Sequence, residues 1–517
     1  MNHATEPARS AECQAGSVAF LESEGALCAG ERARRIDTHA AHIFLAGDRA
    51  CKLKRAVNLG YLDFSTVERR RAALEAELAL NRRTAPDLYI AVQPLCRDAS
   101  GAFHIGAGGQ VVDWLLEMRR FPDDALVEHV ARDGLLTERL IAALAERIAA
   151  FHETAEVCCD GSGYARLMDV IKGNAESLAR YPQIISPAAG ARLIDTQDEV
   201  AARLASLLDA RAGSGRVRHG HGDLHLGNIA VVDGQPLLFD CLEFDARLAT
   251  TDVLYDLAFV VMDLWSRGLP AEANILFNRY VDLSPQDETG VALMPLFMSV
   301  RATIRAHVLA AQDAHGADRR IAERMGDYLR LAEALLTPTG ARLVAFGGLS
   351  GTGKSTIARS VAHALGRAPG ARVLRSDVLR KRLAGVKPEA PLPKATYTPQ
   401  ASAEVYREMD QLAGIVLDEG QAVVADAVFA AQAEREAIEH VARARHVPFA
   451  GLWLEAPLSV LQARIAGRTN DASDADGATV QLQASYDIGD LGRWQRVDAQ
   501  GPPADCAARA RTALSLP

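Results

Sequence analysis

The chain has 517 residues, is 49% hydrophobic and 24% charged, and carries a formal net charge of −9 with a pI of about 5.9. That length exceeds one ordinary core and predicts two to four domains, while the acidic balance argues against a nucleic acid as partner, since such a footprint is basic. The start has no apolar signal core, no stretch reaches the roughly 18–20 apolar residues of a membrane span, and the eight cysteines include no CxxC pair or zinc spacing, so a cytoplasmic protein without a membrane partner is expected.

In chain order, residues 1–34 read as a leader whose first twenty residues are loose. His42-Ile43-Phe44-Leu45-Ala46, a Gly47-Asp48 turn and Ala50-Cys51-Lys52-Leu53-Lys54 predict a β-hairpin. Ser65 to Arg83 predicts a helix with Leu74, Leu78 and Asn81 at helical spacing, stopped by Thr84-Ala85-Pro86. Tyr89 to Val92 and Gln110 to Leu115 read as strands, 125–210 as mostly helical, Gly213-Ser214-Gly215 as a break, Arg216 to Asp245 as strand and loop, and 251–336 as helices. Leu336-Thr337-Pro338-Thr339-Gly340 is the expected boundary between a domain at 35–336 and one at 341–517. Beyond it, strands at 343–346, 371–375, 422–426 and 449–454 alternate with helices, which predicts an α/β domain with a parallel sheet.

Two motifs carry chemistry. The first is His221-Gly222-Asp223-Leu224-His225-Leu226-Gly227-Asn228, followed by Asp240 after the apolar run Pro236-Leu237-Leu238-Phe239. Phosphoryl transfer needs positioning and charge neutralisation more than covalent chemistry. Asp223 suits proton acceptance from an attacking hydroxyl, and Asn228 and Asp240 are oxygen ligands of the kind Mg²⁺ prefers. A polar loop of caps and turns is the plainer alternative.

This segment resembles the aminoglycoside phosphotransferase and choline kinase group, which has the α+β protein-kinase-like fold. The resemblance spans about 35–335, with its specific motifs in 219–245. It implies Asp223 as catalytic base, Asn228 and Asp240 as metal ligands, and a phosphate-holding lysine on an early strand paired with a helix glutamate. Lys52 and Lys54 share a strand face and compete for the lysine role; Lys52 is favoured, leaving Lys54 as a solvated charge. Glu68, Glu75 and Glu77 compete for the partner role, and Glu77 is favoured. Two departures stand out. The first hairpin has no GxGxxG, and Glu243 follows Asp240 at a wider spacing than the second acid of that family, which counts against it as a ligand. His221 and His225 read as backbone braces. Arg301 and Arg305, four apart on one helix face and near His307, are the substrate-binding candidates of this domain, against the plainer reading of a salt-bridge face.

The second motif is Gly348-Leu349-Ser350-Gly351-Thr352-Gly353-Lys354-Ser355, a complete phosphate-binding loop with a strand before it and a helix after it. Its backbone N–H groups cradle phosphates, Lys354 reaches the terminal phosphates and Ser355 holds Mg²⁺; Ser350, Thr352 and Thr356 are counted with the ATP contacts. Asp426 at the end of an apolar run is a second metal candidate. After the next strand, Asp377 suits an acceptor-side base and Arg380 an anion holder. Arg464 and Arg468 lead into a polar loop and read as lid arginines that reach the transferred phosphate. About 341–517 resembles small P-loop kinases, among them gluconate and shikimate kinases, polynucleotide kinase, chloramphenicol phosphotransferase and zeta toxins.

The arrangement as a whole resembles bacterial fusions of an aminoglycoside phosphotransferase domain to an ATP-binding domain. It implies ATP and Mg²⁺ as cofactors and hydroxylated small molecules, sugars or amino sugars, as acceptors. Two rival expectations remain open: one active kinase with the other nucleotide domain regulatory, or a P-loop switch with a ligand-binding first domain.

Overall fold

The computed structural model describes residues 6–38, 40–58, 63–312, 318–467 and 472–516. The chain gathers into two compact units. One comprises Met1–Ala143, Ala150–Gly163 and Ala212–Asp256; the other comprises Leu144–Ala149, Tyr164–Arg211 and Leu257–Pro517. Compaction therefore does not follow the break at 336–340: the later helices expected in the first domain gather with the P-loop segment.

In the first unit, six strands form one sheet: β1 (Arg34–Asp37), β2 (Ala41–Ala46), β3 (Arg49–Lys54), β4 (Tyr89–Arg97), β5 (Phe103–Ile105) and β6 (Gln110–Arg119). Their order is β1-β2-β3-β6-β4-β5, and every pairing is antiparallel. The expected hairpin is β2–β3, closed at Gly47-Asp48 with Ala46 opposite Arg49. The expected helix is Val67–Asn81, capped by the Thr66 hydroxyl accepting from the Arg69 N–H. It turns Leu74, Glu77 and Asn81 inward, and Leu74 packs with Tyr89 and Leu116.

The leader is not loose throughout. Glu6–Leu21 is a helix, and Leu21 is fully buried with Phe44, Leu53 and Leu95. Burying such a side chain contributes about 1.5–3 kcal/mol. The Gln14 amide donates to the Lys54 carbonyl (2.9 Å) and to Asp113 Oδ2 (2.8 Å), and its Oε1 accepts the Ala56 N–H (2.8 Å). Asp113 in turn takes a two-pronged ion pair from Arg70. These partners lie far away in sequence, so nothing local signals the helix.

Two short ladders finish this unit. β7 (Val217–His219) pairs with β10 (Thr250–Asp252), and β8 (Ile229–Val232) with β9 (Gln235–Leu238). The β8–β9 turn is Asp233-Gly234, both in the left-handed region that a tight hairpin turn requires.

In the second unit, β11 (Leu343–Gly347), β12 (Arg372–Arg375), β13 (Val423–Asp426), β14 (Phe449–Glu455) and β15 (Gln495–Asp498) form a parallel sheet of order β12-β13-β11-β14-β15. The apolar run of β11 is buried throughout, as a central parallel strand requires. Val344, Phe346, Val424 and Leu452 pack against Ile357 and Val361 of the helix Lys354–Ala362. That order places the loop after β11 at the carboxyl end of the central strand, where open α/β sheets bind ligands.

Candidate active sites

In the first unit the motif residues converge. The loop after β7 carries His221 to Asn228, and its backbone is held from below: the His221 and Gly222 N–H groups donate to the Asp256 carboxylate at 2.7 and 2.9 Å, and Asp256 lies 3.2 Å from His152 Nε2. Gly222 needs its left-handed φ of 81°, and a Cβ there would sit 2.9 Å from Leu242 Cβ. Asn228 donates its amide N–H to both Asp223 O (2.9 Å) and Asp223 Oδ2 (3.0 Å), which leaves its carbonyl oxygen as the ligand atom. The expected strand-end position of Asp240 is altered. β9 stops at Leu238, and Asp240 takes a left-handed backbone with φ of 62° while its N–H donates to the Tyr89 hydroxyl. That conformation is uncommon outside glycine, asparagine and aspartate.

Opposite stands the lysine pair. Lys52 Nζ lies 2.6 Å from Glu77 Oε1 and 2.7 Å from Asp240 Oδ1. Lys54 is not the solvated charge expected: it is buried, 2.7 Å from Glu77 Oε2, and ion-paired with Glu243. Strand alternation puts both lysines on the inward face, where one carboxylate serves them both. Glu68 and Glu75 are exposed, and Glu75 pairs with Arg71. Burial alone would lower the Lys52 pKa, but Asp240 and Glu77 outweigh it and hold the ammonium well above its ordinary value. Desolvation by the surrounding protein pushes the Asp240 carboxyl up; Lys52, then Lys54, overcome that and keep it below its usual range. Asp240 keeps 40% of its side-chain surface exposed, enough for a cation to reach it. The oxygens of Asn228 and Asp240 therefore suit a hard divalent cation.

In the second unit the P-loop takes its expected form. Gly348, Gly351 and Gly353 have φ of 134°, 88° and 86°. A Cβ on Gly348 would meet the Leu454 carbonyl at 2.5 Å, so only glycine fits. Lys354 Nζ donates to Leu349 O at 3.0 Å, and the Ser355 hydroxyl donates to Asp426 Oδ2 at 2.5 Å. The last contact joins the two metal candidates, a hydroxyl and a carboxylate, in one place. The loop opens into a cleft of about 1680 Å³ that also exposes Thr356, Asp377, Arg380 and Arg464. Burial raises the Asp377 carboxyl above its usual value; Arg375 opposes and Asp426 adds to the rise. A raised carboxyl is nearer the pKa a general base needs. Arg380 donates to the Ser402 hydroxyl (3.3 Å) and stacks 4.9 Å over Tyr397. Arg464 lies against the loop, donating to Thr352 O at 3.3 Å and to Ala499 O and Gly501 O. Arg468 lies outside the described residues.

Arg301 and Arg305 do not form an open anion site. Arg301 is 3% exposed, with its guanidinium 4.7 Å over the Phe259 ring, because its helix Met294–Gln312 is buried on most sides. Arg305 is half-buried, and the neighbouring His307 pairs with Asn174 at 3.1 Å. Among the described residues no helix is long and apolar enough to cross a membrane.

Comparison with known proteins places a domain over each of the two motifs. Residues 62–294 match the model of the phosphotransferase enzyme family, and residues 343–486 match that of an AAA domain. Uncharacterized proteins of Mycobacterium bovis and Mycobacterium tuberculosis are each 31% identical over 480 residues, covering 90% of this chain and 92% of the relative. The chain belongs to their family. It joins a kinase-like phosphotransferase domain to a P-loop kinase domain. Among solved structures, a choline/ethanolamine kinase family protein from Mesorhizobium loti covers 63% of this chain and 96% of its own at 11% identity and a TM-score of 0.38. A gluconokinase from Sinorhizobium meliloti covers 35% and 94% at 22% identity and a TM-score of 0.26.

Several residues around the candidate sites carry no motif. Glu243 engages the lysine cluster through Lys54. Around the P-loop cleft, Gln483 Oε1 accepts the Ser350 N–H at 2.8 Å, and Asp474 takes buried Lys381, the Tyr397 hydroxyl and the Leu392 N–H. The polar run after Arg468 hinted at a lid, but which acid meets which base depends on tertiary approach.

Proposed function

We propose that both domains are ATP- and Mg²⁺-dependent kinases acting on hydroxyl groups of small metabolites, sugars, amino sugars or related compounds, in the cytoplasm. The observation that carries this reading is the completeness of each set. The first brings Lys52, Glu77 and Asp240 into one ion-pair chain and ties Asn228 to Asp223; the second joins Ser355 to Asp426 beside a complete P-loop, with Asp377 on the same cleft. In the first site Asp223 accepts the proton of the attacking hydroxyl, Lys52 neutralises phosphate charge, and Asn228 and Asp240 offer oxygens to the metal. In the second, the N–H groups of the loop and Lys354 would cradle the phosphates, Ser355 and Asp426 would hold the metal, Asp377 is the acceptor-side base, and Arg380 and Arg464 would meet negative charge. The metal neutralises charge on the transferring phosphoryl group when bound. We place the domain boundary at 336–341.

The test is a screen of sugars, amino sugars, polyols, aminoglycosides and nucleosides with ATP and Mg²⁺, read by product mass. Wild type, Asp223→Ala and Lys354→Ala run in parallel. Two phosphate gains on acceptors, each lost in one variant alone, are expected. ATP consumption without any phosphorylated product would overturn the reading in favour of a switch.

A further inference from the structure

β12 is an edge strand of the parallel sheet, and an edge leaves a row of backbone N–H and C=O groups unpaired. Here the helix Pro270–Leu283 supplies the missing partners through two asparagines. Asn278 Oδ1 accepts the Val373 N–H at 2.7 Å and its amide donates to Ala371 O at 3.1 Å; Asn274 donates to Ala371 O at 3.0 Å and Pro369 O at 2.9 Å. Beside them Arg372 is 1% exposed, yet its fork is fully used. Nε reaches Glu288 Oε1 (2.6 Å), Nη1 reaches Asn278 Oδ1 (3.0 Å) and Val373 O (2.8 Å), and Nη2 reaches Asp282 Oδ1 (2.7 Å) and Glu288 Oε2 (3.1 Å). All five guanidinium N–H donors thus have a partner.

The other end of this strand reaches the chemistry. β12 closes at Arg375, whose Nε is 3.4 Å from Asp426 Oδ2, and Asp377 follows in the first turn of the helix Ser376–Leu383. A strand advances about 3.3 Å per residue as one continuous backbone, so displacement at Arg372 is passed along it toward Arg375 and Asp377. Asn274, Asn278, Asp282 and Glu288 all lie in the stretch matched by the phosphotransferase family, whereas Arg372 lies in the stretch matched by the AAA model.

We propose that Arg372, Asn274 and Asn278 are positioning residues for the acceptor side of the P-loop site, so that the second kinase depends on a helix contributed by the first module. A buried ion network is a poor source of net stability, because apolar replacements of similar volume are often as stable. What the fork supplies is direction: four of its five bonds leave the strand, to Glu288, Asn278 and Asp282, and fix where it begins.

The inference rests on the proposed function, and its test separates the two. Full-length chain carrying Asp223→Ala is the parent, and Arg372→Lys, Asn278→Ala and the triple Arg372→Met/Asp282→Leu/Glu288→Met are made in it. MgADP affinity, Lys354-dependent turnover, melting temperature and amide exchange are measured on each. Arg372→Lys and Asn278→Ala are expected to lower kcat by about 10- to 100-fold, the scale of a misplaced reacting group, while MgADP affinity holds. The apolar triple is expected to melt no lower than the parent and yet turn over as slowly as Arg372→Lys. A triple variant as fast as the parent would overturn the proposal. A parent that phosphorylates nothing would sink the proposed function instead. Amide exchange then still decides: Val373 and Ser376–Leu383 must exchange faster in Asn278→Ala than in the parent, with β11 unchanged, and equal rates would refute the anchoring.

Discussion

Glu77 is the residue on which the first site turns. It is fully buried and faces two ammonium groups, Lys52 at 2.6 Å and Lys54 at 2.7 Å. Removing one partner of a buried pair leaves an uncompensated charge and typically costs about 3–5 kcal/mol. Glu77→Gln is therefore expected to destabilise the full-length chain by that order, read as a lower denaturant midpoint, and to abolish Asp223-dependent turnover. Glu75→Gln, which breaks only an exposed pair with Arg71, should cost under about 1 kcal/mol. Equal midpoints for the two variants would show that Glu77 does not hold the lysines. Both Glu77 and Lys52 were legible as candidates, because strand alternation and the following helix narrow the choice. The second lysine was not. Alternation places Lys54 on the same face, but that Glu77 serves both lysines and that Glu243 joins them from far along the chain depends on tertiary approach.

At the scale of elements, periodic signals carried well and tertiary ones did not. The β2–β3 hairpin, the helix Val67–Asn81 and the strand–loop–helix around the P-loop all follow from alternation, caps and glycines local to each segment. The helix Glu6–Leu21 did not, since its anchor Gln14 bonds to Lys54 and Asp113. The end of the helix Pro399–Asp418 holds another element-level feature, Glu419, whose Oε2 accepts the Ala292 N–H at 3.2 Å. Burial pushes its carboxyl up to about 8; the Ala292 bond, Arg211 and Arg367 oppose this, and Glu288 adds to it. A folded pKa above the unfolded one means the native state keeps a proton that the unfolded chain has released. The stability this group carries is full below the ordinary glutamate range and is lost as pH rises from there to about 8. Glu419→Gln should remove that loss, so its melting temperature should gain on wild type steadily between pH 5 and pH 8. A constant difference across that window would show that Glu419 is ionised in the native protein.

For the whole molecule, the boundary placed between the two motifs and the division into compact units differ. The motifs sit one after the other, at 221–240 and 348–355, but one unit is assembled from three chain segments and the other from three more. Both candidate sites were legible in the sequence because each is a local motif on a local element. The compact units divide the chain elsewhere, and buried polar contacts such as Arg372 to Glu288, between residues far apart in sequence, carry no local signal. Two sites of unrelated design should still bind nucleotide independently, and ligand linkage makes that measurable. A ligand at 100 times its Kd stabilises the native state by about 2.7 kcal/mol, seen as slower amide exchange where opening breaks the site. MgADP is expected to protect two separate stretches of the full-length chain, the loop from His221 to Glu243 and the loop from Gly348 to Ser355. Lys354→Ala should erase protection of the second and leave the first, because Lys354 belongs to the second loop and its Nζ donates to Leu349 O there. Protection lost from both loops in that single variant would mean that the first site takes nucleotide only when the P-loop does, which would favour one kinase under the control of the other domain over two kinases in tandem.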